Sequence, residues 1–406
     1  MDMTFNQIAT VLNAINSQMT GATGNAAIDT SSFVTQAQTM LRAGYDPLVT
    51  AISQVLTKTI FSERPYKRKF GTLRTTPERF GNHTRKINII DNPVKEDDRF
   101  KLVDGQSIDP WIVQKPKTIQ TNLYGANVYE RQLTIYKDQL DNAFRGVDEF
   151  GSFVDLMMTN LRNTVEQDHE NTARATILNL IAAAYSQQRA VNVLALYNAN
   201  TGESLTMSDV FAADNFPSFA RWLRGYVMTL SDALESRTAL YHQNITATDN
   251  NGSPVAGVIN RHTPKDRQRL YLLSPLMNMI ESTVYSTTFN ELYAKFGSYE
   301  PVDYWQNPGH YNSNVTMLES AAINVKPSYI NNKGIETAAN SAVTIPYVVG
   351  VIMDIEAAGY VPVNQWSHNQ GLNGRGGYSN LWLHYTDRYY NDLTENNIVL
   401  YMANSN

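Results

Sequence analysis

The chain of 406 residues carries a formal net charge of −5, is 17% charged and 10% aromatic, and contains no cysteine. Those figures exclude disulfides, thiolate nucleophiles and cysteine-ligated metals, and they supply no bulk attraction to nucleic acid or to an anionic membrane. No stretch approaches the ~18 to 20 apolar residues of a membrane span, and MDMTFNQIATVLNAINSQ lacks the basic and then apolar pattern of a secretory signal, so the reading is a protein kept in a cytoplasm. The 23 tyrosines and plentiful asparagines on a low-charge chain suit extensive protein contact, since interface cores are rich in aromatics and poor in charge.

A short amphipathic segment (Phe5, Ile8, Val11, Leu12, Ile15) opens the chain and runs into the small, turn-forming TGATGNAAIDTSS. A helix is expected from Asp46-Pro47, an N-cap followed by proline at the first helical position. An extended basic stretch follows, in which Arg64, Lys67, Arg68, Lys69, Arg74, Arg79, Arg85 and Lys86 face a single acid, Glu78.

Between 84 and 136 the pattern has period two. Ile87 and Ile89 share one face of a strand, KTIQTNLYGANVYERQLTIY provides the return, and the polar NPVKEDDRFKLVDGQSIDP lies between them. A hairpin of that length cannot be covered by its own domain, and its edges need a partner.

Residues 147–187 then read as one proline-free helix of about 60 Å at ~1.5 Å per residue, a beam on which other parts hang. Its stripe is Phe150, Phe153, Val154, Met157, Leu161, Val165, Ala173, Ile177, Ile181 and Ala184. Val191–Leu196 is expected as a strand, Asp214–Leu234 as an amphipathic helix and Arg269–Leu273 as a strand, with Ser274-Pro275 opening another helix. A helix is expected at 287–296, ending at Gly297. Tyr347–Met353 is a continuous apolar run of the kind buried on both faces. Asp354–Ala358 reads as a helical turn, Leu381, Leu383 and Tyr385 alternate, and a strand spans Asn397–Met402.

No catalytic constellation stands out. His169-Glu170 lacks the second histidine that a zinc helix needs, because Ala173 occupies that position, so His169 reads as an ordinary surface or interface residue. Gly371-Leu-Asn-Gly374-Arg-Gly376-Gly377 has no following lysine and precedes a strand, which leaves a flexible loop in place of a phosphate cradle. No cofactor or metal is expected. The basic stretch has two readings, phosphate contact or pairing with the downstream acids Asp91, Glu96, Asp97, Asp98, Asp104 and Asp109 of another copy. Pairing between copies is favoured, with Arg68, Lys69, Arg79, Arg85, Lys86, Asp97, Asp98 and Arg99 as the contact residues. On that view, charge reversal at Arg85 or Lys86 impairs assembly and leaves the subunit folded.

The order of these elements, with NVYERQLTIYKDQLDNAFRGVDEFGSFVDLMM running into the long helix, RLYLLSPLMNMIES, and the closing RGGYSNLWLHYTDRYYNDLTENNIVLYMA, resembles the major capsid proteins of tailed bacteriophages, most of all those of small short-tailed phages. The resemblance implies an α+β Hong Kong 97-type fold: an N-terminal arm (1–75), an extended hairpin (76–130), a peripheral domain with a spine helix (131–204), an axial domain (205–350) and return strands (351–406). It implies a non-enzymatic shell protein of the virion, assembled in the host bacterial cytoplasm as hexamers and pentamers around double-stranded DNA, with a separate scaffolding protein, a portal protein and no membrane partner. An encapsulin-like cargo shell, or a cytoplasmic enzyme or binding protein with a dispersed site, are the rival readings.

Overall fold

The computed structural model describes residues 12–15, 17, 35, 70–73, 83–90, 102–109, 111, 113, 117–124, 127–139, 147–245, 258–285, 299–307, 317–331, 333 and 335–404. The helices expected at Asp46-Pro47 and 287–296 lie outside them. Of the opening amphipathic segment, Leu12 and Ile15 are helical and fully buried.

Alternating residues form β1 (His83–Ile90), which pairs antiparallel with β2 (Lys117–Tyr124), His83 opposite Tyr124 and Ile90 opposite Lys117. The expected single return strand is in fact two. β2 closes the hairpin, while β3 (Asn127–Tyr136) leaves it to join another sheet, so the hairpin ends before residue 130. Gly125-Ala126 separates the two strands in sequence.

The long helix α1 spans Val147–Ser186, 40 residues as the pattern predicts. Its two halves do different work. Leu161 and Val165 pack on Leu383, Tyr385 and Tyr129 of a three-stranded sheet. Polar contacts hold the same surface: Arg131 pairs with Asp168, the Tyr385 hydroxyl donates to Asp168 Oδ2 at 3.0 Å, and His169 Nε2 lies 3.0 Å from Asp387 Oδ2. His169 is thus a packing residue of the helix–sheet junction. Further along, Leu180–Ala184 are five consecutive fully buried residues, a helix enclosed on all sides and made narrow by its alanines.

Beyond α1, β4 (Ala190–Asn192) lasts only three residues, because Asn192 Oδ1 accepts from the Ala195 amide and caps α2 (Val193–Thr201). The strand expected at 191–196 is therefore mostly helix. Thr206 and Asp209 form a reciprocal capping box on the short α3 (Met207–Val210). Helix α4 (Phe216–Ala233) buries Phe219, Leu223, Val227 and Leu230, β5 is Gln268–Leu273, and α5 (Ser274–Tyr285) follows it. Short elements continue the chain: β6 (Glu300–Val302), α6 (Met317–Ala321), β7 (Ile323–Val325), β8 (Ser328–Ile330), β9 (Glu336–Ala338) and β10 (Val343–Ile345).

All eight residues of β11 (Tyr347–Asp354) are buried, which accounts for its unbroken apolar text. The boundary expected at 350 falls inside this strand. β12 (Ala358–Asn369) and β13 (Tyr378–Asn391) form a long hairpin closed by a turn in which Asn373 Oδ1 accepts from the Arg375 and Gly376 amides. The glycine-rich segment is this turn. The chain returns through β14 (Asn397–Met402). Two main sheets result, with orders β4-β14-β11-β5-β6 and β12-β13-β3. One apolar core joins the second half of α1 with α4, α5, β5, β11 and β14, and Phe70 and Leu73 enter it from upstream.

At the centre, the pairing of β11 with β14 shifts register between Val348 and Gly350, and a Cβ added to Gly350 would lie 2.4 Å from the Tyr271 carbonyl oxygen. That neighbour is backbone and cannot swing away. Gly350→Ala is expected to lower stability by about 1–3 kcal/mol, the cost of overpacking a close-packed core, measured by chemical denaturation of the purified chain.

Candidate assembly surface

The period of two in β1 divides its side chains cleanly. Arg85, Ile87 and Ile89 face outward, whereas Lys86, Asn88 and Ile90 face the body of the same chain. Across the outward face, Arg85, Ile87 and Ile89 stand opposite Asn122, Gln120 and Thr118. Beyond this face, residues 102–109, 111 and 113 are all exposed, Trp111 at 85% and Val113 at 78%. Exposed apolar side chains concentrated on one projection mark a contact surface.

The inward face is fastened to a buried polar segment, Asp392–Asn397, between β13 and β14. Lys86 Nζ donates to Asp392 Oδ2 at 2.7 Å and to Glu395 Oε1. Arg261 lies 2.9 Å from the same Glu395 oxygen and donates to Asn88 Oδ1 at 2.8 Å. Ile90 and Ile119 pack beside these groups on Ile245 and Ile259. Asp392 Oδ1 accepts from both the amide and the hydroxyl of Thr394, at 2.9 and 2.6 Å.

The electrostatics follow from this crowding. Burial opposes the charge on Lys86, yet Asp392 and Glu395 together hold its ammonium above the usual lysine range. Burial likewise opposes ionisation of Asp392, and the Lys86 charge with the Thr394 hydrogen bonds outweighs it, keeping this carboxyl below the usual range. For Glu395 burial wins, and its carboxyl is pushed up despite Lys86 and Arg261.

Lys86, expected as a contact between copies, pairs within its own chain with Asp392 and Glu395. Arg85, next to it, is exposed. Arg68, Lys69, Arg79, Asp97, Asp98 and Arg99 lie outside the described residues. Asp104 and Asp109 are exposed, and Asp109 Oδ1 accepts from the Trp111 amide at 2.9 Å. The anchoring residues Arg261, Asp392 and Glu395 carry no motif in the sequence that marks them as partners of the hairpin. Among the described residues, no group of three or more His, Asp or Glu could hold a metal ion, and no helix is long and apolar enough to cross a membrane.

The hairpin is thus anchored within the chain on its inward face and leaves Ile87 and Ile89 exposed on its outward face. The chain belongs to the Phi29-like phage major capsid protein family, whose profile it matches over residues 8–401. It is a virion protein with an α+β capsid fold, and its role is structural: to form the multimeric capsid shell. Among solved structures it is similar to the capsid of Staphylococcus phage Andhra (12% identity, 84% of this chain and 86% of that one, TM-score 0.49). It is also similar to a chain of the head fiber and inner core protein gp22 structure of native bacteriophage P68 (11%, 82% and 84%, TM-score 0.45) and to the capsid of Cyanophage P-SCSP1u (11%, 84% and 90%, TM-score 0.43). A comparison with curated proteins finds no match.

Lys86→Met leaves two buried carboxylates without their lysine and is expected to cost about 3–5 kcal/mol, as does removal of one partner from other buried ion pairs. Hydrogen exchange should then accelerate across β1 and β2 first. Arg85→Glu, one residue away and exposed, is expected to change stability by less than about 0.5 kcal/mol.

His242 gives the same region an acid limit. Its ring is buried against Asn396 Oδ1 and the Ile259 carbonyl, at 3.1 and 2.6 Å, and burial, with Arg261 and Arg189 nearby, holds it below the usual histidine range. The unfolded chain therefore takes up this proton at higher pH than the folded one, so stability falls as pH drops through the ordinary histidine range near ~6.5 and levels off below the folded value. His242→Gln should remove that acid-side decline in a series of thermal unfolding curves.

Proposed function

We propose that this protein is the head-shell subunit of a short-tailed phage, of the Hong Kong 97 type, which assembles as hexamers and pentamers into an icosahedral container for double-stranded DNA. Its parts are the arm, the hairpin, a peripheral domain built on the spine helix, an axial domain and the return strands. A separate scaffolding protein directs assembly in the host bacterial cytoplasm, a portal protein occupies one vertex, and the subunit performs no catalysis.

The observation that carries this reading is the hairpin. Its inward face is fixed by buried ion pairs, and its outward face and tip leave Ile87, Ile89, Trp111 and Val113 in solvent. An isolated monomer gains nothing from such a surface, whereas a neighbouring copy buries it. Because the hairpin and whatever it covers are different patches, the contact is head-to-tail, and contacts of that kind close into rings when the rotation allows. Interfaces of standard size bury ~1,200–2,000 Å², and several per subunit sum to a stable shell.

Expressed with its phage's scaffolding protein, the wild-type chain should give closed, uniform icosahedral particles by electron microscopy. Trp111→Asp should leave the circular dichroism spectrum unchanged and lower the yield of closed particles at least several-fold. Persistent wild-type monomers under those conditions, or normal shells from the Trp111 variant, count against the proposal.

A further inference from the structure

On one side of the β12-β13-β3 sheet, Leu383 and Tyr385 pack on α1. The alternate residues therefore point to the other side, where the strand register sets six of them in two adjacent rows: Trp366, His384 and Glu130, then His368, Trp382 and Gln132. Trp366, His368, Glu130 and Gln132 are exposed, and Trp382 and His384 are partly so. The Trp366 indole stacks on the His384 imidazole with centroids 4.1 Å apart and planes at 18°. That contact covers one ring face, and the indole is still 50% exposed. His384 Nδ1 in turn lies 3.8 Å from Glu130 Oε2.

We propose that this face is a binding site for a neutral saccharide chain, with Trp366 and Trp382 as stacking platforms and Glu130 and Gln132 as the groups that take its hydroxyls. A pyranose ring has two kinds of surface. Its C–H face is weakly positive and packs on the electron-rich face of an aromatic ring, while its rim of hydroxyls both donates and accepts, which a carboxylate and an amide can match. The two rows supply both halves side by side. Neighbouring strands stand ~4.8 Å apart and successive residues on one face ~7 Å apart, a spacing comparable to one sugar ring, so adjacent rows can serve adjacent sugars.

Charge selects this occupant over a nucleic acid. Platforms that stack bases combine aromatic rings with a cationic track for the phosphates. These two rows hold no lysine or arginine, and their carboxylate, Glu130, opposes a polyanion. An uncharged ligand meets no such opposition. The stack also prepares the site, because His384 holds the Trp366 ring on one side before any ligand arrives, and a ring already held loses little freedom on binding. The site is separate from the hairpin and from Asp392–Asn397, so it stands whatever the mode of shell assembly.

Calorimetric titration of the purified full-length chain with chitotetraose, cellopentaose and maltoheptaose, three neutral oligosaccharides of different linkage, tests this on single subunits. Saturable binding of at least one probe is expected, with a Kd of about 1 mM or tighter, the range open to a shallow surface site. Trp366→Ala and Trp382→Ala, each folded by circular dichroism, should weaken it at least about tenfold, the loss of one good stacking contact. Trp366→Phe keeps a ring and should bind nearly as wild type. Absence of saturable binding to all three probes overturns the proposal, as does binding that both alanine variants retain. Tighter binding of an oligothymidylate than of any sugar overturns it in favour of a nucleic-acid platform. Folded tryptophan variants that form no particles, from a wild-type chain that binds no sugar, overturn it in favour of a contact between copies.

Discussion

A buried polar segment has to satisfy every donor and acceptor it takes out of water, and in this chain the segment Asp392–Asn397 imposes that demand on everything around it. Its six residues are all buried. The Asp392 amide donates to the Ala357 carbonyl, the Gln243 amide to Leu393, the Asp354 amide to Asn396, and the Asn397 amide to Tyr241. Arg189, just past the end of α1, reaches the carbonyls of Leu393 and Tyr241. The Asn396 side chain donates to Thr263, whose hydroxyl donates to Asp354. Hairpin, helix end, central strand and the 240s and 260s segments therefore meet at one place by necessity, because each holds a partner the others lack.

That junction makes the two halves of α1 cooperate. Its first half carries the three-stranded sheet through Leu161, Val165 and the Asp168 and His169 contacts, and its second half lies enclosed in the main core. One continuous helix thus packs on both sheets. The strong apolar alternation of β13 buries Leu381, Leu383 and Tyr385, the last two against the helix, and β3 is held at the edge of that sheet with Leu133 opposite Leu381.

Elements whose stability comes from a local pattern were legible in the amino-acid text. The 40-residue helix, β5, α5, β11 and β14 follow from period 3.6, period two or unbroken apolar runs, each of which fixes a face by itself. The failures share a cause. Val191–Leu196 is apolar enough for a strand, but the Asn192 cap turns it into helix after three residues. The segment 117–136 has one continuous alternation and still divides between two sheets, since periodicity records which face is buried and not which strand is the neighbour. NDLTENN has the composition of an exposed turn, and nothing within seven residues reveals that Lys86 and Arg261, more than 100 residues away, bury it.

Lys86 and Arg85 show why a basic cluster could not be assigned as a block. In a strand, adjacent side chains point to opposite faces, so two neighbouring cations experience opposite surroundings. One meets Asp392 and Glu395 in the interior, and the other meets solvent beside Ile87. A slip of one residue in β1 would exchange those faces, placing Arg85, Ile87 and Ile89 inward and the lysine outside. The buried ion pair opposes that slip, because a displaced Lys86 would leave Asp392 without its counter-charge and Glu395 with Arg261 alone. The same contact that fixes the hairpin to its own chain thus sets which residues the hairpin presents outward, and the register of the outer surface is decided by charges that never reach it.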